Sequence, residues 1–560
     1  MCQTGLLVRP PRYVKFSEYM RLEGVPGNVG MEEEESMAEG PYLMGIDYGT
    51  GGVRVGIFDV EGTPVVFHGV EFETSYPRSG WAEQDPSTWW SSLVQAVHGA
   101  MEQSGVASDA VAGIGVDTTA ATVLALDAND RHLRPAIMWM DVRASDQAER
   151  IANTGDPALK YNGFGSVSAE WGLPKCLWLK EQEPKTWQEA RHICDAADWL
   201  VNRLTGEWAA SINVAAPKYH HDRNEGGFPV SLLEAVRLED FLEKYPQDVK
   251  DRGTAVGGLR KEVAEELGLR PGTPVAEGGI DGFVGQIGLG AIEPGKLALI
   301  TGSSHALLGQ VAEPIHGRGF WGAYTDAVMP GQYTVEAGQA STGTIVAWFK
   351  HRFAKGATEE AAKRGVDPYV VLNELAREVP IGSDGLIVVD YFQGNRTPHT
   401  DALVRGMIWG LGLGHTEGHL FRAILEGICY GTEDSLRTFR GHRFEPRLNI
   451  ASGGPTKSDL WMQIHADVSG VPIAFNRVSE GPILGSAILG AVGAGIYPDI
   501  RTAVEHMVHT ERTLEPDPDR HEEYRFYADR YTETYERMKE PMHRMSRHVA
   551  ATGASAPVDE

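Results

Sequence analysis

Two carboxylates set among glycines are the residues with the clearest chemistry. Asp47 lies in GIDYGTGGVRVGIFD, Gly45 to Asp59, where an apolar strand runs into Gly49-Thr50-Gly51-Gly52 and an alternating strand comes straight back. Glycines bring backbone N–H groups close to a ligand with no Cβ in the way, and a ring of such donors beside a threonine hydroxyl can hold a phosphate. A carboxylate at that place repels phosphate unless a cation lies between them, so Asp47 reads as an acid that meets phosphate through a metal ion. Without a ligand, the same residues make an ordinary exposed hairpin turn. The second acid, Asp281, stands in AEGGIDGFVGQIGLGAIEPG, flanked by Gly278, Gly279 and Gly282. An aspartate so flanked is most often a turn former. At a boundary between domains it becomes a carboxylate exposed in a cleft, able to take a proton from a hydroxyl as that oxygen attacks phosphorus.

These acids need elements to hold them, and the elements recur. KLALITGSSHALLG, Lys296 to Gly309, repeats the first hairpin: apolar strand, Thr-Gly-Ser-Ser turn, apolar strand. An equivalent hairpin opening each half of a chain points to two related domains facing one another. LNIASGGPTKSDLWMQIHADVSGVPI adds a strand, the pair Gly453-Gly454, and a helix starting near Thr456 to Asp459. Free N–H groups at that start and the small glycines leave room for a flat ring, or form a plain strand-to-helix turn. Elsewhere, Asp85 and Pro86 begin a helix with Trp89, Leu93, Val94 and Val97 at helical spacing. VAGIGVDTTAATVLALD reads as strand–turn–strand, and DAADWLVNRLTGEW as a helix closed by Gly206. Such alternation predicts an α/β architecture.

A chain of 560 residues exceeds what one hydrophobic core usually serves, so two large domains are expected. The formal net charge of -26 disfavours nucleic acid or an anionic membrane as partner, though not a small anion in a locally positive site. Four scattered cysteines (Cys2, Cys176, Cys194, Cys429) form no CxxC pair, which argues against both a structural zinc site and a disulfide framework and fits a reducing cytoplasm. The adjacent His220-His221 point in different directions and do not read as a metal site. Residues 1–40 lack a sustained apolar region, carry the acids Glu32 to Glu35, and are expected to be a mobile extension, with Met31 and Met37 as alternative starts. ATGASAPVDE reads as a C-terminal tail, and no segment reaches the length of a membrane span.

Two hairpin loops gripping one polyphosphate resemble the actin-like, ribonuclease-H-like ATPase arrangement. More specifically, the chain resembles the FGGY family of carbohydrate kinases from about Tyr42 to about Met538. GIDYGTGGVRVGIFD matches that family's first phosphate motif, TGSSHALLG the second, and ASGGPTKS its adenosine motif. GMIWGLGLGHTEGHLFRAILE, Gly406 to Glu426, carries the C-terminal signature. WGLPKCLWLKEQ keeps Lys175 and Trp178 of the N-terminal one but departs at Gly172 and Cys176. The resemblance implies two ribonuclease-H-like domains across a central cleft: a mobile extension at 1–41, an N-terminal domain at 42–292, a C-terminal domain at 293–538 and a tail at 539–560. It implies ATP and Mg²⁺, with Gly49, Thr50, Gly51, Gly52, Arg54, Gly302, Ser303 and Ser304 around the phosphates. Gly453, Gly454 and Ser458 would border the adenine, Asp47 and Asp281 would face the metal, and Asp281 would be the general base.

Within the family, Ala120-Ala121 replaces the Arg-Glu pair of glycerol kinases, and GVDTTAAT, VSAEWGLPK and VEAGQASTG resemble ribulokinases. That likeness bounds the sugar with Ala120, Trp171, Lys218, Asp281 and Glu336 and implies a ketopentose such as ribulose, with xylulose or erythritol as alternatives. MWMDVRA, Met138 to Ala144, is shared by several ketopentose and polyol kinases. A catalytically degenerate sugar-binding protein and an actin-like ATPase are the readings of another class. Monomer and homodimer both stay open.

Overall fold

The computed structural model describes residues 40–165 and 167–552. The N-terminal extension expected at 1–41 therefore lies outside the described residues, save Gly40 and Pro41, and so do 553–560.

The first sheet grows from the first hairpin. Strand β1 (Tyr42–Gly49) pairs antiparallel with β2 (Gly52–Asp59), which pairs antiparallel with β3 (Pro64–Glu71). After helix α1 (Pro86–Ser104), β4 (Val111–Thr118) lies parallel to β1 on its other side. The outer strands β5 (Ala255–Gly258) and β6 (Pro274–Ala276) complete the order β5-β6-β4-β1-β2-β3. α1 forms where expected: the Asp85 side chain accepts from the Ser87 N–H, and Gly105 closes the helix at φ 64°, a left-handed conformation that costs glycine little. Trp89 and Trp90 are buried in this core.

The second sheet repeats the plan. β7 (Lys296–Thr301), β8 (His305–Val311) and β9 (Tyr333–Gln339) form an antiparallel meander. β10 (Leu448–Ser452) lies parallel to β7, β11 (Ile473–Asn476) parallel to β10, and β12 (Thr510–Leu514) antiparallel to β11. Strand for strand, β3-β2-β1-β4-β6-β5 corresponds to β9-β8-β7-β10-β11-β12. This is the duplicated α/β arrangement of two ribonuclease-H-like domains.

Helices between these strands place the sites. In chain order they are α2 (Gly172–Gln182), α3 (Ala196–Thr205), α4 (Ile212–Tyr219), α5 (Asp281–Gly288), α6 (Glu417–Gly441), α7 (Asp459–Ser469), α8 (Gly481–Gly493) and α9 (Pro518–Thr552). Gly206 closes α3 as expected. Asp281 is not in a turn: a short strand, Gly279–Ile280, leads straight into α5 with Asp281 as its first residue.

Two elements run across the expected boundaries. α8 belongs by sequence to the second half but packs on β1 and β4 of the first. A Cβ on Gly45, Gly113 or Gly115 would strike the carbonyl oxygens of Ile483, Gly490 and Ser486, so these glycines admit the α8 backbone against the sheet. α5 and α8 in turn cross at Gly285, Gly288 and Gly485, close enough that a Cβ on Gly288 would meet the Gly481 carbonyl. A cut after residue 292 separates the two sheets but runs through this shared core. At the other end, the tail expected from 539 is helical as far as Thr552, where His543 Nε2 lies 2.6 Å from Asp401 Oδ2. Cys176, Cys194 and Cys429 are buried free thiols.

Candidate active site

Sheet register builds the floor of the cleft. Asp47 at the end of β1 lies opposite Arg54 on β2 and Asp117 on β4. Residue 117 also pairs with Gly279, which brings Asp281 to the same edge. Arg54 donates to Asp47 Oδ2 and, at 2.5 Å, to Glu480 Oε2, just before α8. Burial opposes the Arg54 charge, but these carboxylates hold it above its ordinary pKa. Asp117 Oδ2 accepts from Ser486 Oγ–H of α8 at 2.6 Å. Burial, then the Asp47 charge, raise the Asp117 carboxyl well above the usual range. The same two causes push half-buried Asp281 up to about 7. Its Oδ1 accepts from the Gly282 N–H at 2.7 Å.

The phosphate-type loops are both anchored. The Thr50 hydroxyl accepts from Trp139 Nε1–H at 2.9 Å, and the Thr50 carbonyl accepts from Gln84 Nε2 at 2.8 Å. That leaves Gly51 exposed at the tip. In the second loop, Ser303 is exposed, while the Gly302 and Ser303 carbonyls accept from Thr342, Gly343 and Thr344 at the start of the helix Gly343–Arg352. The loop after β10 approaches this hairpin so closely that a Cβ on Gly453, at φ 96°, would collide with the Thr301 carbonyl. Gly454 opens a short 3-10 turn. Ser458 caps α7, accepts from the Trp461 N–H and donates to Asn373 Oδ1 at 2.8 Å. Gly453 and Ser458, expected at an adenine, thus each have a structural duty that the sequence pattern did not reveal.

A second group gathers beside Asp281. Lys218, on the last turn of α4, places Nζ 3.5 Å from Glu336 Oε2 on β9, across the two halves. Its side chain is 8% exposed and makes no hydrogen bond among the described residues. The ammonium lies 5.2 Å from the Trp171 ring centre and 5.8 Å from that of Phe283. Glu336 also accepts from Tyr324 O–H at 3.1 Å. Ala120 is half-buried at the turn after β4, followed by Ala121 at φ 46°. Asn213 of α4 fixes the approach to Asp281: its Oδ1 accepts from the Ile280 N–H, while Ser211 Oγ–H donates to the Gly278 carbonyl.

One residue ties both groups together. Lys175 of α2 is fully buried and donates to the carbonyls of Ala121 (2.9 Å), Met138 (2.7 Å) and Trp139 (3.1 Å). Burial lowers its pKa to about 7, against the charges of Glu170, Asp141 and Asp195, which favour the ammonium. It fastens the Ala120 turn to the loop whose Trp139 holds Thr50. Sequence reasoning noticed Lys175 and MWMDVRA only as motif members, and it missed Asp117, Glu480, Ser486, Asn213 and Tyr324 altogether. Except for Tyr324, whose partner Glu336 lies on the next strand, their partners lie far away in the chain, so local pattern carries no sign of them.

The donors suit a hard divalent cation with most of its shell supplied elsewhere. Asp47 Oδ1 is buried without a hydrogen-bond partner. Among the described residues no three His, Cys, Asp or Glu side chains stand together as a ready cage, His220 and His221 included. Mg²⁺, which keeps waters and phosphate oxygens around one or two carboxylates, fits such a site.

Family models for the FGGY family of carbohydrate kinases match the chain at residues 42–288 (N-terminal domain) and 297–494 (C-terminal domain). The chain is 32% identical over 531 residues to a ribulokinase of Shouchella clausii, covering 88% of this chain and 94% of that one. It is also 32% identical over 536 residues to an FGGY carbohydrate kinase domain-containing protein of Xenopus laevis, covering 89% and 96%. The crystal structure of a xylulose kinase from Rhodospirillum rubrum superimposes with a TM-score of 0.80 at 26% identity, over 90% of this chain and all of that one.

Proposed function

This chain belongs to the FGGY family of carbohydrate kinases, and on that premise we propose that it transfers the γ-phosphoryl group of MgATP to a terminal hydroxyl of a ketopentose, ribulose first. The observation that carries the ketopentose is the Lys218–Glu336 pair beside Asp281. A buried ammonium whose carboxylate partner stands as far as 3.5 Å is incompletely satisfied, and a sugar carbonyl or hydroxyl oxygen would add an acceptor. Glu336 would accept from a neighbouring hydroxyl, and the Trp171 and Phe283 rings would cover the carbon chain. Ala120 leaves space where an arginine would clamp a three-carbon polyol. The likeness to a ribulokinase and to a xylulose kinase supports the same substrate class.

Asp281 would orient the terminal hydroxyl and take its proton as the oxygen attacks phosphorus; a pKa near 7 suits a base working near neutrality. Thr50, Gly51 and Gly52 would donate to the phosphates from one half, and Gly302, Ser303 and Ser304 from the other. Asp47 would hold Mg²⁺, which when bound neutralises charge on the transferring phosphoryl group. For Arg54 to meet phosphate it must let go of Asp47, and the same change frees that carboxylate for the cation. Gly453 and Gly454 would pass beneath the adenine, with Ser458 shaping the loop rather than touching the base.

A coupled assay of ADP release with L-ribulose, D-ribulose, D-xylulose and erythritol tests the reading. The expected result is the highest kcat/KM for a ribulose. A clear advantage for xylulose or erythritol would reassign the sugar, and absence of ADP release with every sugar would favour a degenerate binding protein.

A further inference from the structure

Outside the cleft, the second half holds a groove of about 310 Å³ between α6, α7, the start of α9 and the segment after the helix Pro368–Arg377. Ile381, Leu460 and Ile464 supply apolar walls. Arg377 and Arg520 stand exposed at the rim. Arg377 makes no hydrogen bond or ion pair among the described residues. Arg520 has only distant partners, Asp467 at 3.6 Å and Asp517 at 3.8 Å. Buried Asp467 in the wall offsets part of the charge of Arg520 through Oδ2, while its Oδ1 accepts from Gln463 Nε2 at 2.8 Å and from the Asp517 N–H at 2.9 Å; Arg377 is the guanidinium left without a carboxylate at ion-pair distance among the described residues. Buried Arg422 is neutralised by Glu426 at 2.8 Å and donates to Tyr524 O–H, which makes a rigid polar back wall. On a chain of net charge -26, this concave surface offers an anion two exposed guanidiniums, Arg377 unpaired and Arg520 only loosely paired. Its volume lies at the lower end of the range of small-molecule sites, and about half of its lining is apolar.

We propose that this groove is a second ligand site, separate from the catalytic cleft, for a small molecule with an apolar body and one anionic group. The anion would sit between Arg377 and Arg520, and the apolar body against Ile381, Leu460 and Ile464. The place has a route to the cleft. Arg377 lies one helical turn beyond Asn373, which accepts from Ser458 at the adenosine loop. Leu460 and Gln463 lie on the helix that Ser458 caps.

The test uses full-length protein and 8-anilinonaphthalene-1-sulfonate, a flat apolar body with one sulfonate, followed by fluorescence titration. The expected result is saturable binding to one probe molecule per chain that a non-hydrolysable ATP analogue does not displace. The double variant Arg377→Glu/Arg520→Glu, altered only at exposed positions, should weaken that binding about tenfold or more while retaining kinase turnover. Leu460→Trp, which fills the wall and keeps every charge, should weaken it as well. Equal binding by the double variant, or displacement by the ATP analogue, would overturn the proposal. Loss of kinase turnover in the parent protein would instead bear on the activity assigned to the cleft.

Discussion

Asp281 and Lys218 face the same space with opposite needs, and each predicts its own signature. The Asp281 carboxyl, held at about 7 by burial and then by Asp47, must be ionised to act as a base. At low MgATP, kcat/KM for the sugar should therefore rise through a limb centred at about pH 7; a flat profile from acid to neutral pH would contradict this. For stability the sign is reversed. The folded protein keeps this proton where the unfolded chain, with an ordinary value of 3.8, has lost it. The contribution of this group therefore declines from about pH 4 to about pH 7. Lys218→Met removes the ammonium and leaves Glu336 without its cation. Loss of a buried charged hydrogen-bond partner costs about 1–3 kcal/mol, so the ketopentose KM should rise by about tenfold to a hundredfold with the ATP KM little changed. An unchanged sugar KM would remove Lys218 from the pocket.

At the scale of elements, function depends on how loops and helices are fastened. Lys175→Met preserves bulk but deletes bonds to Ala121, Met138 and Trp139. Because Trp139 holds Thr50, the KM values for sugar and for ATP should rise together; movement of the sugar KM alone would break that chain of contacts. Gly115→Ala drives a Cβ into the Ser486 carbonyl and should cost about 1–3 kcal/mol, seen as a lower urea midpoint. These two residues also mark where sequence reading stopped. The hairpins of β1–β2 and β7–β8 were legible because alternation and turn chemistry are local, and so was the Asp85 cap. Nothing local says that glycine-rich α8 crosses back to β1 and β4, since packing partners hundreds of residues apart leave no periodic trace. The same reason hid Glu480 and Ser486. From sequence Asp281 reads either as a turn former or as a carboxylate exposed at a domain boundary, and not as a helix start, because flanking glycines resemble turn chemistry even where they serve close packing of a strand and helix.

At the scale of the whole molecule, the two halves divide the work. In the proposed mechanism the Gly49–Gly52 loop, Trp171, Lys218 and Asp281 would act from one half, and the Gly302–Ser304 loop, the loop at Gly453 and Glu336 from the other. Glycine-lined α5 and α8 form the joint between them. Productive geometry should wait until both ligands bridge the halves, since water left in the site would compete for the phosphoryl group. Small-angle scattering should show a smaller radius of gyration with ketopentose plus a non-hydrolysable ATP analogue than with neither; identical curves would count against closure. The central claim, that the acid heading α5 takes the proton of a sugar hydroxyl placed against a nucleotide held by both halves, is tested most directly by Asp281→Asn. Sugar and nucleotide binding are measured beside turnover with the best ketopentose. The account predicts both ligands bound and turnover reduced by about 10²–10⁴-fold; near-normal turnover in that variant would contradict it.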